Sequence, residues 1–297
     1  MKKLVLLTLL ALGTAAAFGQ AIDRTKLMAD IQTLSSGKYE GRKTGTPGNK
    51  LAAGYITDRF RRIGLSSYNN GFKHPFTFKT RSNEEKQGVN LIGYISGKSE
   101  KVIVVSAHYD HVGINGTDIY YGADDNASGV GAMLAFAEYF TKHKPQHTLL
   151  FIAFDAEESG LRGAASFVKE PVIAKDRIIL NVNMDMIAHN DKGELYAAGT
   201  YKNPTLKSII EGEDKNTGVK ILFGHDLPDT GKEDWTMQSD QGPFAKENFP
   251  FIYFGVEDHK DYHKPTDTFE NINQDFYYGA STAILMSIIK LDKNLGK

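Results

Sequence analysis

Among its 297 residues the chain has no cysteine. That absence excludes disulfides, thiol nucleophiles, thiolate metal ligands and a cysteine-borne lipid anchor. Charge of one sign is also missing: 35 basic residues balance 36 acidic ones, and no Lys/Arg run exceeds three. Neither a nucleic-acid partner nor an acidic membrane surface is therefore expected. The one extended apolar run, Leu4 to Phe18, falls short of the roughly 20 residues that a membrane span needs. No internal repeat or low-complexity segment follows it.

That run is preceded by Lys2-Lys3 and ends in Ala17-Phe18-Gly19, with small residues at the −3 and −1 positions of a cleavage site. Residues 1–19 are expected to be a signal peptide cleaved before Gln20, the alternative being an uncleaved anchor. The expected product is exported to the periplasm or the medium, has no stable membrane insertion after signal removal, and is a monomer. Without cysteine, such a protein depends on core packing and bound metal for stability.

Over all 297 residues the chain is 41% hydrophobic and 24% charged, the balance of a globular protein, and the pattern favours one large α/β domain. Ile22 to Ser35 has apolar residues at helical spacing, and Leu51 to Ile63 marks a second helix stopped by Gly64. Between them lies a Gly/Thr-rich loop containing Glu40-Gly41-Arg42. Phe72 to Lys79 alternates as a half-buried strand, and Arg81 to Gln87 reads as a polar turn. Strands are expected at Val89–Ile95, Val102–Val105, His147–Phe154, Ile178–Met184 and Phe249–Phe254. Helices are expected at Ala127–Phe140, Leu161–Val168, Leu206–Glu213 and Phe276–Leu291. Several strands are apolar without alternation, which indicates burial on both faces. The expected fold is thus a single α/β domain with a mixed, mostly parallel central sheet and helices on both faces.

In such sheets ligands bind beyond the carboxyl ends of the strands. His108, Glu157-Glu158 and Asp185 each follow a strand there, with Asp124-Asp125-Asn126 in a glycine-bounded loop and His263 in the last loop. All are nitrogen or oxygen donors that zinc accepts, and we read them as one site for two metal ions. A carboxylate of the Asp124-Asp125 turn has two oxygens with which to bridge two cations; the plainer reading is a helix cap. Adjacent carboxylates at Glu157-Glu158 are costly unless cations neutralise them, although a surface acidic pair before a helix is the simpler alternative. One of them binding metal leaves the other free to move protons. Asp110, two residues beyond His108, is placed to accept the imidazole's other N–H. Asp185, in an apolar setting, is expected to ligate the second metal. His263 supplies the second imidazole that the set otherwise lacks.

These stretches, namely Ser106 to His111, Gly122 to Gly129, Ala156 to Ala164, Asn183 to Met186 and His263-x-Pro265-x-Asp267-Thr268, together resemble the co-catalytic two-zinc exopeptidases. That family includes secreted bacterial leucyl-type aminopeptidases and, as a branch, glutamate carboxypeptidases and glutaminyl cyclases. The likeness spans roughly residues 88 to 290, and the Glu40-Gly41-Arg42 loop resembles the segment that precedes the zinc domain in bacterial members. It implies residues 20–87 as a helical and strand segment packed on a two-zinc peptidase domain over 88–297. It implies two Zn²⁺ ions, with His108 and Asp185 on opposite metals, Asp125 bridging, and Glu158 and His263 completing the set. Glu157 would be the general base and Asp110 the partner of His108. Gln241 stands where members often have histidine, in Ser239 to Phe244.

The implied activity is removal of N-terminal residues from peptides, because a free amine is drawn to an acidic cluster. A carboxypeptidase or dipeptidase would aim Arg or Lys at the pocket, for which Arg162 and Lys264 are the candidates. A glutaminyl cyclase would use a single zinc. A binding protein on an inactive scaffold would have lost ligands, and all five are present. Trp235, Phe244, Phe251 and Tyr253 suggest an apolar specificity pocket, against the plainer reading of core aromatics.

Overall fold

The computed structural model describes residues 22–68, 71–80 and 82–296. The signal-peptide expectation over 1–19 falls outside the described residues. In chain order the strands are β1 (Lys73–Lys79), β2 (Glu85–Ile95), β3 (Ser99–His108), β4 (Gly113–Asn115), β5 (Asp118–Tyr120), β6 (His147–Phe154), β7 (Ile178–Met184), β8 (Glu194–Ala198), β9 (Lys220–Phe223) and β10 (Phe251–Gly255). The helices are α1 (Arg24–Leu34), α2 (Pro47–Ile63), α3 (Gly129–Lys142), α4 (Arg162–Lys169), α5 (Pro204–Ile210), α6 (Gln241–Lys246) and α7 (Gln274–Asn294).

Eight strands form one sheet in the order β1-β2-β6-β3-β7-β10-β8-β9, and β4-β5 make a separate hairpin. Four of the seven pairings in the large sheet are parallel, so the mixed, mostly parallel sheet is as expected. In β3, Val102 and Val104 pack on one face with Phe167 and Phe244, whereas Ile103 and Val105 pack on the other with residues of α1, α2, α3 and α7. Burial on both faces explains why β3 and β6 have no polar alternation; all eight residues of β6 are buried.

The order of the central strands positions the site. β6, β3 and β7 are adjacent and parallel, with His108 opposite Phe154 and Ser106 opposite Asn183. Their carboxyl ends thus reach one edge together, carrying His108, the Glu157-Glu158 turn and Asp185. β1 begins one residue after its expected start, and β2 already begins at Glu85, within the segment read as a turn. Four short strands, β4, β5, β8 and β9, were not expected. Among the described residues no helix is long and apolar enough to cross a membrane.

Candidate metal centre

His108, the last residue of β3, has Nδ1 3.1 Å from the main-chain oxygen of Asp110. A carbonyl only accepts, so this contact places the ring proton on Nδ1. Nε2 then faces Asp185 Oδ1 at 3.1 Å and Asp125 Oδ1 at 3.4 Å. A bare lone pair opposite two carboxylates is repulsive, so this nitrogen needs a cation or a proton. Without metal, burial opposes protonation of His108, but Asp185, Glu157 and Asp125 outweigh it and raise the imidazole well above its ordinary pKa.

A second group shares Asp125. His111 Nδ1 lies 2.9 Å from Glu158 Oε1 and 3.6 Å from Asp125 Oδ2. His263 Nε2 approaches the same two carboxylates, at 3.1 Å from Asp125 and 3.5 Å from Glu158. Burial alone would push the Glu158 carboxyl up; hydrogen bonding from His111 and His263 outweighs it and holds the group low. Ligand atoms of His108, Asp125 and Asp185, and of His111, Asp125 and Glu158, each lie within 4.8 Å of one another.

The local backbone serves this arrangement. Gly122, with φ of 58°, opens the Asp125 turn, and a Cβ there would lie 2.2 Å from the Asp125 carbonyl oxygen and 2.6 Å from the His111 ring. Asn126 Oδ1 accepts the Gly129 N–H at 3.0 Å at the start of α3, while Asp125 itself points away toward the imidazoles. Ala156, Met186 and His263, three of the eleven non-glycine residues with positive φ among the described residues, lie at this edge of the sheet.

Two details differ from expectation. His108 and Asp185 were placed on opposite metals, but they share one group. β3 and β7 are neighbouring parallel strands in register, which brings the residues just beyond them side by side. The Asp110 carboxylate does not take the His108 ring N–H: its nearer oxygen is 3.8 Å away. It instead accepts the main-chain N–H groups of Glu157 at 3.0 Å and Glu158 at 3.4 Å. Asp110 therefore orients the turn that presents both glutamates.

His111 was not singled out, although it lies three residues beyond His108. Arg42, fully buried, was also passed over. Its guanidinium donates to the carbonyls of Leu34, Tyr109, Tyr121 and Gly122, tying the loop before α2 to both metal-facing turns. Asp155 works alongside it, accepting from Thr44, Asn49 and the Val89 N–H.

The residues fit cations. Asp110, Asp125, Glu157, Glu158, Asp185 and Asp240 crowd the edge, whereas the guanidinium of Arg42 is engaged with carbonyls. Glu157 has its carboxyl raised well above the usual range, first by burial and then, against the pull of His108, by Asp185, Asp240 and Glu158. Neither oxygen of Asp240 has a hydrogen-bond partner, and His111 Nε2 is also unpaired. Burial, with Asp185, pushes the Asp240 carboxyl up to about 7 against the pull of His108. Gln241 is buried and bridges Asn183 Nδ2 at 3.0 Å to the Trp235 carbonyl at 2.7 Å, so it braces the strand that ends at Asp185.

Of the four suggested pocket aromatics, Phe244 lies in the core against Phe154 and Phe167. Phe251 and Tyr253 form a small buried cluster on which Trp235 packs. A separate groove of about 1330 Å³ is lined largely by residues of α1, α3 and α7, and two of its cations, Lys26 and Arg59, are paired with Glu138 and Asp30.

A mostly parallel sheet whose central strands deliver carboxylates and imidazoles to one edge is the fold of zinc exopeptidases. The chain belongs to peptidase family M28, which it matches over residues 90–288. It is 30% identical over 180 residues to the alkaline phosphatase isozyme conversion protein of Escherichia coli K12, covering 56% of this chain and 52% of that one. The chain thus spans about half the length of that relative. In fold it is similar to the Porphyromonas gingivalis glutaminyl cyclase, with a TM-score of 0.76 and 18% identity over 93% of this chain and 100% of that one. It is likewise similar to BSAP, a zinc aminopeptidase from Bacillus subtilis, with a TM-score of 0.72 and 16% identity over 93% and 97% of the two chains.

Proposed function

We propose that the chain is a zinc-dependent aminopeptidase that takes two Zn²⁺ ions and removes N-terminal residues from peptides. The observation that carries this reading is that Asp125 belongs to both ligand groups while Glu157 faces them without being part of either. His108, Asp125 and Asp185 would hold one ion, and Asp125, Glu158 and His263 the other, with His111 against Glu158. Zinc bound there would polarise the scissile carbonyl and bring the pKa of a bound water toward neutrality. The Glu157 carboxylate takes a proton from the attacking water, then delivers it to the nitrogen of the departing amine as the C–N bond breaks. Asp110 holds Glu157 in place through its main-chain N–H.

The surplus of carboxylates favours a substrate with a free amine over one with a free carboxylate. Of the cations suggested for a carboxypeptidase, Arg162 Nε donates to the Ser159 carbonyl and Lys264 Nζ to that of Lys260, both exposed local contacts. A glutaminyl cyclase of the same fold is the second reading, favoured by the likeness in TM-score. The two ligand groups that share Asp125 weigh against a single-zinc enzyme. Residues 1–19 support export to the periplasm or medium, which N-terminal sequencing of the fractionated protein tests. The decisive assay is a panel of aminoacyl p-nitroanilides, N-blocked peptides and a glutaminyl substrate, with and without chelator. Chelator-sensitive cleavage of free-amine substrates is expected; pyroglutamate formation or cleavage of blocked peptides alone would overturn it.

A further inference from the structure

Outside this centre, His189, His259 and Asp261 offer ligand atoms that all lie within 4.8 Å of one another. His189 follows β7; His259 and Asp261 lie in the loop between β10 and α7. His189 Nδ1 and Asp261 Oδ2 are 3.8 Å apart, and neither has a hydrogen-bond partner. Both side chains are at least nine-tenths buried, where unpaired polar atoms are rare and call for an explanation. The other Asp261 oxygen is taken by the Thr266 hydroxyl at 2.7 Å, which leaves Oδ2 aimed at the imidazole.

His259 has the partner that a metal-binding histidine usually needs. Its Nε2 meets Asp124 Oδ2 at 3.0 Å, and the Ala188 N–H fixes the other Asp124 oxygen. With its proton held toward a buried carboxylate, the ring turns its Nδ1 lone pair inward, where it accepts only the Asp261 main-chain N–H at 3.3 Å, a long contact that a cation would displace. A tetrahedral zinc with bonds near 2.0–2.2 Å sets its ligand atoms about 3.3–3.6 Å apart, so the 3.8 Å pair needs to close only slightly. The His189 and His259 rings, stacked at 3.9 Å, would splay as they ligate.

We propose that His189, His259 and Asp261 form a third metal site for a divalent transition ion such as Zn²⁺. Two imidazoles and one carboxylate select such ions over calcium or magnesium. The ion ties the exit of β7 to the loop that also carries His263 and Asp267, and so acts as a positioning clamp beside the main centre.

The test is anomalous diffraction at the zinc edge from zinc-loaded wild-type crystals, with metal analysis of dialysed wild type, His189→Asn and Asp261→Asn. A peak bonded to His189, His259 and Asp261 is expected, and each variant should hold one zinc fewer per chain. Peaks confined to the Asp125 groups, or unchanged zinc content in folded variants, would overturn the proposal. The wild-type map decides the matter even where a variant does not fold. A peak at His189 without one at Asp125 would uphold this site while refuting the two-zinc reading of the main centre.

Discussion

His111 Nδ1 and His263 Nε2 converge on the same carboxylate oxygen of Glu158, at 2.9 and 3.5 Å. Two imidazoles thus contend for one side of the centre. His111 is buried and fixed just beyond β3, whereas His263 is half-exposed on the last loop and also 3.1 Å from Asp125. We assign His263 as the ligand and His111 as the group that orients Glu158. His263→Ala should therefore lower the zinc bound per chain at saturation. His111→Ala should leave the count unchanged but weaken affinity by about 10–100-fold, the usual effect of losing an outer hydrogen-bonding partner. Zinc titration followed by metal analysis checks this, and the reverse pattern would exchange the two roles.

Arg42 supplies a stability prediction. Truncation to alanine strands the carbonyls of Leu34, Tyr109, Tyr121 and Gly122 away from water. At about 1–3 kcal/mol for each buried acceptor left unpaired, a loss of several kcal/mol is expected. Arg42→Lys should rescue little of it, because an ammonium lacks the planar fork that reaches several acceptors at once. Urea unfolding of the metal-free variants provides the measurement, and a loss below about 1 kcal/mol for Arg42→Ala would contradict the assigned role.

Zinc binding should depend on pH in a particular direction. In the metal-free protein, hydrogen bonds to Asp125 and Glu158 raise the His263 imidazole to about 10. The folded pKa exceeds the unfolded value of about 6.5, so this contribution to stability is complete below 6.5 and disappears as pH rises through about 10. Zinc requires the neutral ring, so its apparent affinity should climb across the same window, with proton release on binding. Calorimetry in buffers of differing ionisation enthalpy measures the released protons. An affinity that does not change between about pH 6.5 and 9 would contradict a ligand role for His263.

Much of this was legible in the chain, for physical reasons. The bounds of β6 and β7 follow from apolar runs that end at Phe154 and Met184, since both faces of those strands are buried. The convergence of His108, Glu157-Glu158 and Asp185 follows from the rule that ligands gather at the carboxyl edge. Register between β3 and β7 is not written in periodicity, so the pairing of His108 with Asp185 was missed. Past a strand end the backbone turns and alternation no longer gives direction, which hid His111 and misdirected Asp110. β8 and β9 are short and partly exposed, and so leave little pattern. His189 is separated from His259 by a long stretch of sequence, and only the folded chain brings them together.

The most direct test is turnover of Glu157→Gln at full zinc loading, read beside its metal content. The substitution preserves shape and removes the proton acceptor without touching either ligand group. Zinc content equal to wild type, with kcat for a leucyl p-nitroanilide reduced by about 10³-fold or more, is the predicted result. Turnover close to wild type in the fully loaded variant would remove Glu157 from proton transfer and contradict the account.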